Sequence, residues 1–251
     1  MNALDIKHLT KRYGRFEALG GVDLDVAHGC VFGFLGPNGA GKTTTIRIIG
    51  GLLKPTSGSV KICDYDLLAD PVKAKSQLGF VPDRPFLYEK LTGLEHLKFV
   101  SDLFGMEKTD FVHRSRELLA LFQIEDWGGE LIENYSHGMK QRLVMAGALL
   151  HRPKLLVVDE PMVGLDPRGA RLLKEVFKVY TRVHNAAIFM STHTMAVAEE
   201  VCDEVAIIDG GKLSARGTVK ALRESAGASG LEEVFLSLTG TDETIPVEAV
   251  L

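Results

Sequence analysis

Gly36-Pro-Asn-Gly39-Ala-Gly41-Lys42-Thr43 joins the apolar run Val31-Phe-Gly-Phe-Leu35 to the helical-looking stretch Lys42-Thr-Thr-Thr-Ile-Arg-Ile-Ile49. Residue types in this order can hold a polyphosphate. Gly36, Gly39 and Gly41 let the backbone curl close around an anion, and the N–H groups of the loop and of the helix N-terminus face it. Lys42 neutralises charge on the outer phosphates, and the Thr43 hydroxyl can ligate magnesium. The stretch Gly36, Pro37, Asn38, Gly39, Ala40, Gly41, Lys42, Thr43 and Thr44 is thus a candidate site for a nucleoside triphosphate with Mg2+. By average residue usage the bare pattern arises by accident in about one chain in a hundred of this length. The strand before it and the helix after it argue against accident.

Leu155-Leu-Val-Val-Asp159-Glu160 places two carboxylates at the C-terminal edge of a buried strand, where a doubly wound sheet presents its ligands. Asp159 is expected to hold the metal, directly or through water, and Glu160 to polarise the attacking water. Strands often end in acids, so this motif takes its meaning from its position after the glycine loop. Between the two lies Tyr135-Ser136-His-Gly138-Met-Lys140-Gln-Arg142, just ahead of the helical pattern Leu143, Val144, Gly147 and Leu150. Ser136 is a good N-cap, and the helix N-terminus behind it can face a phosphate.

Together these segments resemble the motifs of the ATP-binding cassette (ABC) ATPases, the motor subunits of ABC transporters. The segment at Ser136 is similar to the family's Leu-Ser-Gly-Gly-Gln signature, keeping Ser136 and Gly138 but carrying His137 and Met139 in place of glycine and glutamine. The resemblance extends over roughly residues 4 to 239. It implies an α/β fold: a P-loop NTPase (RecA-like) core, an N-terminal antiparallel β-subdomain and an inserted helical subdomain at about residues 84–150. It also implies ATP and Mg2+ as ligands, with Glu160 as the catalytic base and His193, in Ser191-Thr-His193, as the switch residue at the γ-phosphate. Tyr13 matches the aromatic that stacks on adenine, although a strand-end aromatic also packs readily on a core. Asp166, in Val163-Gly-Leu-Asp166, matches the loop that joins two nucleotide sites; it also reads as an acidic N-cap before Pro167. One departure is Asp83, standing where the family usually has a glutamine that contacts the metal shell and the membrane partner.

The same resemblance implies a head-to-tail homodimer, or a heterodimer with a similar ATPase, in which Lys42 of one protomer and Ser136 of the other close on one ATP. A separate transmembrane permease would be driven from the cytoplasmic face of the membrane, and the signature variant points to export. Two rivals are a DNA-repair or translation ATPase of the same family and a nucleotide sensor with reduced turnover. The first lacks its usual long coiled coils or second cassette, and the second sits badly with Glu160 and His193.

These motifs need a frame of strands and helices. Val22-Asp-Leu-Asp-Val26 alternates as a half-buried strand does, and residues 3 to 35 read as mostly strand. A turn at Pro55-Thr-Ser-Gly58 precedes strands at Ser59–Cys63 and Leu78–Val81. From Thr92 to about Leu150 the pattern is helical. Thr92-x-x-Glu95 forms a capping box, Leu94, Leu97, Val100, Leu103 and Phe104 fall at helix spacing, and a second helix carries Leu118, Leu119 and Phe122. Beyond Pro153, strands at 155–158, 187–190 and 205–208 alternate with helices at 168–183 and 195–202, which predicts a parallel sheet. Asp209–Lys212 reads as a turn, Ser225–Gly230 as a linker, 231–238 as a short helix and 240–251 as a loose tail.

At 251 residues the chain is expected to form one main domain with an appendage. A hydrophobic fraction of 45% and a charged fraction of 25% exclude a largely disordered chain, and a net charge of −4 lacks the basic footprint of a nucleic-acid binder. Apolar runs are strand-sized, far short of the roughly 20 residues that span a bilayer. Met1-Asn-Ala-Leu-Asp-Ile does not open like a signal peptide, so the chain is expected to remain in the cytosol. Cys30, Cys63 and Cys202, odd in number and widely spaced, read as reduced, buried residues.

Overall fold

The computed structural model describes residues 2–84 and 86–240; most of the tail, residues 241–251, lies outside them. Strands β1 (Asn2–Tyr13) and β2 (Phe16–Ala27) form an antiparallel hairpin whose last pair is Tyr13 with Phe16. With β4 (Ser57–Ile62) and β5 (Tyr65–Asp66) they build a four-stranded sheet in the order β2-β1-β4-β5. The alternation in β2 works as its pattern predicts: Val22, Leu24 and Val26 are buried while Asp23 and Asp25 are not.

A second sheet carries β3 (Val31–Leu35), β6 (Leu78–Val81), β7 (Leu155–Asp159), β8 (Ala187–Thr192), β9 (Glu204–Asp209) and β10 (Lys212–Thr218) in the order β10-β9-β3-β8-β7-β6. Every neighbouring pair is parallel except β9 and β10, which return through the turn at Gly210 and Gly211. Every residue of β3, β7 and β8 is buried, which is why these strands read as apolar runs: both faces of a parallel sheet are covered. Phe32, Phe34, Val157 and Phe189 point into one core with α1 (Lys42–Ile49) and the antiparallel sheet. Val31, Leu156, Val158, Ile188 and Met190 point into the other. Each large side chain fully buried this way contributes roughly 1.5–3 kcal/mol.

That second core is closed by α3 (Gly93–Leu103), α4 (Lys108–Leu121), α5 (His137–Leu150) and α6 (Pro167–His184). The capping box at Thr92 is complete: Glu95 N–H donates to Thr92 Oγ1 at 3.2 Å, and Thr92 N–H donates to Glu95 Oε2 at 2.8 Å. On α3, Leu97 is buried but Leu94 is exposed, and Leu103 and Phe104 are exposed where they border an open groove of about 320 Å³ between β6, α3 and α5.

The chain closes with α7 (Met195–Val201), α8 (Val219–Ala226) and α9 (Leu231–Thr239), which pack against β9 and β10. Four elements lacked a sequence signal strong enough to read: β5, β10, α8 and α2 (Pro71–Ser76). The three cysteines carry free thiols as expected, but each is half-buried where the sequence predicts burial. No described helix is long and apolar enough to cross a membrane.

Candidate active site

The glycine loop leaves β3 at Leu35 and turns under β9. A side chain at position 36 would run into the Ile208 carbonyl oxygen, so only glycine lets the loop pass there. Gly41 caps α1 at φ 111°, a left-handed conformation closed to other residues, and a Cβ there would also meet Ala18 O at 2.9 Å. With no side chain capping α1, its first N–H groups stay free. Those of Gly39, Gly41, Lys42, Thr43 and Thr44 meet no protein acceptor among the described residues. Such an array is an anion cradle. Lys42 lies folded across it, its Nζ donating to Gly36 O at 2.6 Å and Pro37 O at 3.0 Å. Burial pushes the ammonium below its ordinary pKa while Glu160 and Asp159 push back. A bound polyphosphate would resolve that cost. Ala40 serves the loop itself: its N–H donates to Pro37 O and its carbonyl accepts from Gly211.

Opposite the cradle, β7 ends in Asp159, buried and paired in register with Ser191 of β8. The Ser191 hydroxyl donates to Asp159 Oδ1. Burial raises the Asp159 carboxyl above its ordinary value; the hydrogen bond from Ser191 opposes this, while Asp83 and Glu160 raise it further and Lys42 lowers it. Glu160 follows at φ 49°, in the left-handed region that a non-glycine residue seldom occupies. Its N–H meets the Ser191 carbonyl at 3.2 Å and the Ser191 hydroxyl at 3.3 Å. Its carboxylate meets His193 Nδ1 at 2.7 Å.

Tyr13, Asn38, Gly39, Gly41, Lys42, Thr43, Thr44, Asp83, Asp159, Glu160 and His193 all line one cleft of about 460 Å³. The cleft has two poles. One is the N–H cradle with Lys42, matched to phosphate. The other gathers Asp83, Asp159, Glu160 and the Thr43 hydroxyl, oxygen donors of the kind a hard cation such as Mg2+ takes. Asp83 and Glu160 add to the burial that raises the Asp159 carboxyl, a cost that a bound cation would offset. Tyr13 is 49% exposed at the hairpin tip, so its ring faces the cleft mouth and is not packed into the core. Asp83 is exposed, and its Oδ1 accepts from Arg84 N–H at 2.8 Å.

Sequence reasoning missed Phe16 and Ala18, which also line the cleft, and Ser191 beneath it. Phe16 carries a legible signal, an aromatic residue three positions from Tyr13 in one hairpin. Nothing marks Ser191, since its role depends on a cross-strand register.

Ser136, Gly138 and Asp166 do not line this cleft. Ser136 is the N-cap of α5, its hydroxyl accepting from Met139 N–H at 3.3 Å, and it stays exposed with Gly138 half-buried beside it. Asp166 is the N-cap of α6, accepting from Gly169 N–H at 2.9 Å and from Arg142 Nη2 at 3.3 Å. Gln141 Nε2 also reaches Pro161 O at 3.2 Å, so α5 is tied at two points to the segment that follows Glu160.

A glycine loop between a central parallel strand and its helix, facing carboxylates at the end of β7, one strand beyond its neighbour β8, defines a P-loop NTPase. Residues 19–163 match the ABC transporter family. The ABC-type transporter ATP-binding protein EcsA of Bacillus subtilis is 37% identical over 96% of this chain and 98% of its own length. The linearmycin resistance ATP-binding protein LnrL of the same organism is 35% identical over 93% of this chain and 77% of its own. A solved structure of the ATP binding subunit of an ABC transporter has a TM-score of 0.89 and 34% identity, covering 94% of this chain and 99% of that one. The chain belongs to the ABC transporter family as an ATP-binding subunit, and it is an ATPase.

Proposed function

We propose that the chain binds Mg-ATP in the cleft between the glycine loop and the ends of β7 and β8, and hydrolyses it there with Glu160 as general base. The observation that carries this is the convergence of the Glu160–His193 pair with Lys42 and Thr43 on a single cleft. Glu160 accepts the proton of a water whose oxygen bonds to the γ-phosphorus while the bond to the bridging oxygen of ADP breaks. Lys42 and the loop N–H groups hold the phosphate oxygens, and His193 orients Glu160 and reaches the γ-phosphate. Thr43, Asp159 and Asp83 would hold magnesium, which would supply positive charge to neutralise the phosphates. The Tyr13 ring stacks on the base.

Ser136, exposed, and Gly138, half-buried, both lie outside the cleft of their own chain and supply the N-terminus of α5 to the ATP of a second ATPase subunit. The dimer is head to tail, and Asp166 lies along the seam. Closure on ATP and opening after hydrolysis drive a separate transmembrane subunit on the cytoplasmic face of the membrane. The groove flanked by Leu103 and Phe104, and by Phe86 a few residues beyond Asp83, offers that subunit an apolar seat next to the cleft. Export is the direction favoured by the likeness to a resistance protein.

The test is chromatographic and kinetic together. Glu160→Gln is expected to bind ATP, stall turnover and elute as a dimer with Mg-ATP. A variant that stays monomeric while the unmodified protein turns ATP over would overturn the shared-site reading.

A further inference from the structure

Ser191 is fully buried in β8, paired with Asp159 at the end of β7 and hydrogen-bonded to Glu160, the residue after it. Its hydroxyl donates to Asp159 Oδ1. The same oxygen lies 3.3 Å from the Glu160 N–H, and the Ser191 carbonyl lies 3.2 Å from it. Glu160 stands at φ 49°, and a left-handed backbone at a non-glycine residue persists only where its surroundings hold it. Among the described residues, the acceptors of the Glu160 N–H both belong to Ser191. One side chain thus aims the Asp159 carboxylate and, with its own backbone, pins the turn that throws Glu160 over the cleft.

We infer that Ser191 is the positioning residue of the reaction: its hydroxyl sets the orientation in which Asp159 receives magnesium and steadies the turn that carries Glu160. The inference rests on the proposed reading of Asp159 as a magnesium ligand. Removing the donor frees a buried carboxylate to rotate away from the cleft, and outer partners of metal ligands commonly govern 10–100-fold in metal affinity or activity. A serine that only satisfied a buried oxygen would affect folding stability and leave the response to metal alone.

The experiment measures binding of a non-hydrolysable ATP analogue by equilibrium dialysis, once in Mg2+ and once in EDTA, on the full chain. Ser191→Ala is expected to bind as the unmodified protein does in EDTA and to lose about tenfold of the affinity gained from Mg2+. In turnover, the Mg2+ concentration for half-maximal rate should rise about tenfold, and Ser191→Thr, which keeps the hydroxyl, should restore both readings to within about threefold. Ser191→Cys, similar in volume and only a weak donor, is expected to show the same loss and replaces the alanine variant should that fail to fold. Asp159→Asn separates the two readings. If it loses the Mg2+ gain while Ser191→Ala and Ser191→Cys keep it, Ser191 is not the positioning residue and the metal site stands. If Asp159→Asn also keeps it, Asp159 is not a ligand and the inference falls with that reading.

Discussion

His193 Nδ1 sits 2.7 Å from Glu160 Oε1, bridging the tips of the neighbouring strands β8 and β7. The imidazole is 61% exposed and the carboxylate 19%, so histidine approaches from the solvent side and closes over the acid. Glu160 is thereby held by a partner that reaches it from the solvent side.

Glu160→Gln should therefore keep ATP binding and lose about 10²–10⁴-fold in kcat, because the amide keeps the hydrogen bond to His193 but cannot accept a proton. Single-turnover hydrolysis with labelled ATP checks this. A loss below tenfold would assign the base elsewhere.

Lys42→Ala should weaken ATP binding about 10–100-fold, the loss of charge-assisted hydrogen bonds worth roughly 1.5–3 kcal/mol. The N–H cradle survives the change, so binding is reduced and not abolished. Calorimetry showing unaltered affinity would remove Lys42 from the phosphate site.

Asp83→Ala should raise the Mg2+ requirement and lower kcat by up to about tenfold with little change in ATP affinity, since its carboxylate faces Asp159 across the cleft. If kinetics over a range of Mg2+ concentrations match the unmodified protein, with and without a membrane subunit, Asp83 is an exposed loop acid that only caps Arg84 N–H.

Asp166→Ala should cost about 1 kcal/mol in a urea titration, because the first turn of α6 loses its cap; the exposed contact to Arg142 adds little. Asp166→Asn keeps the cap and should restore stability. Equal stability of all three proteins would show that Asp166 does not hold the helix start.

Acid should destabilise the protein partly through His151. Burial pushes its pKa from 6.5 down to about 4, and its Nε2 lies 3.1 Å from Leu78 O while Nδ1 is buried without a partner. The unfolded chain takes up a proton near pH 6.5 and the folded one resists until about 4, so this contribution is full above pH 6.5 and is lost as pH falls through 4. His151→Gln should reduce the stability lost between pH 7 and pH 4.5 by about 2 kcal/mol, read from urea midpoints at both values. Parallel losses in the two proteins would mean that the ring is not kept neutral.

Much of this protein is written locally. The glycine loop, the apolar runs of β3, β7 and β8, the capping box at Thr92 and the caps at Ser136 and Asp166 each depend on residues within a few positions of one another, and a linear reading finds them. Together with their order they determine the fold class and the family. Tertiary structure alone decided what lies across strands and helices. The register of β7 and β8 put Ser191 under Asp159, the meeting of hairpin and loop put Phe16 and Ala18 at the cleft, and the spacing of α3 from β6 left Leu103 and Phe104 in an open groove. Helical period says which residues share a face but not how far the neighbouring element extends to cover it. The exposed ends of α3 are the result.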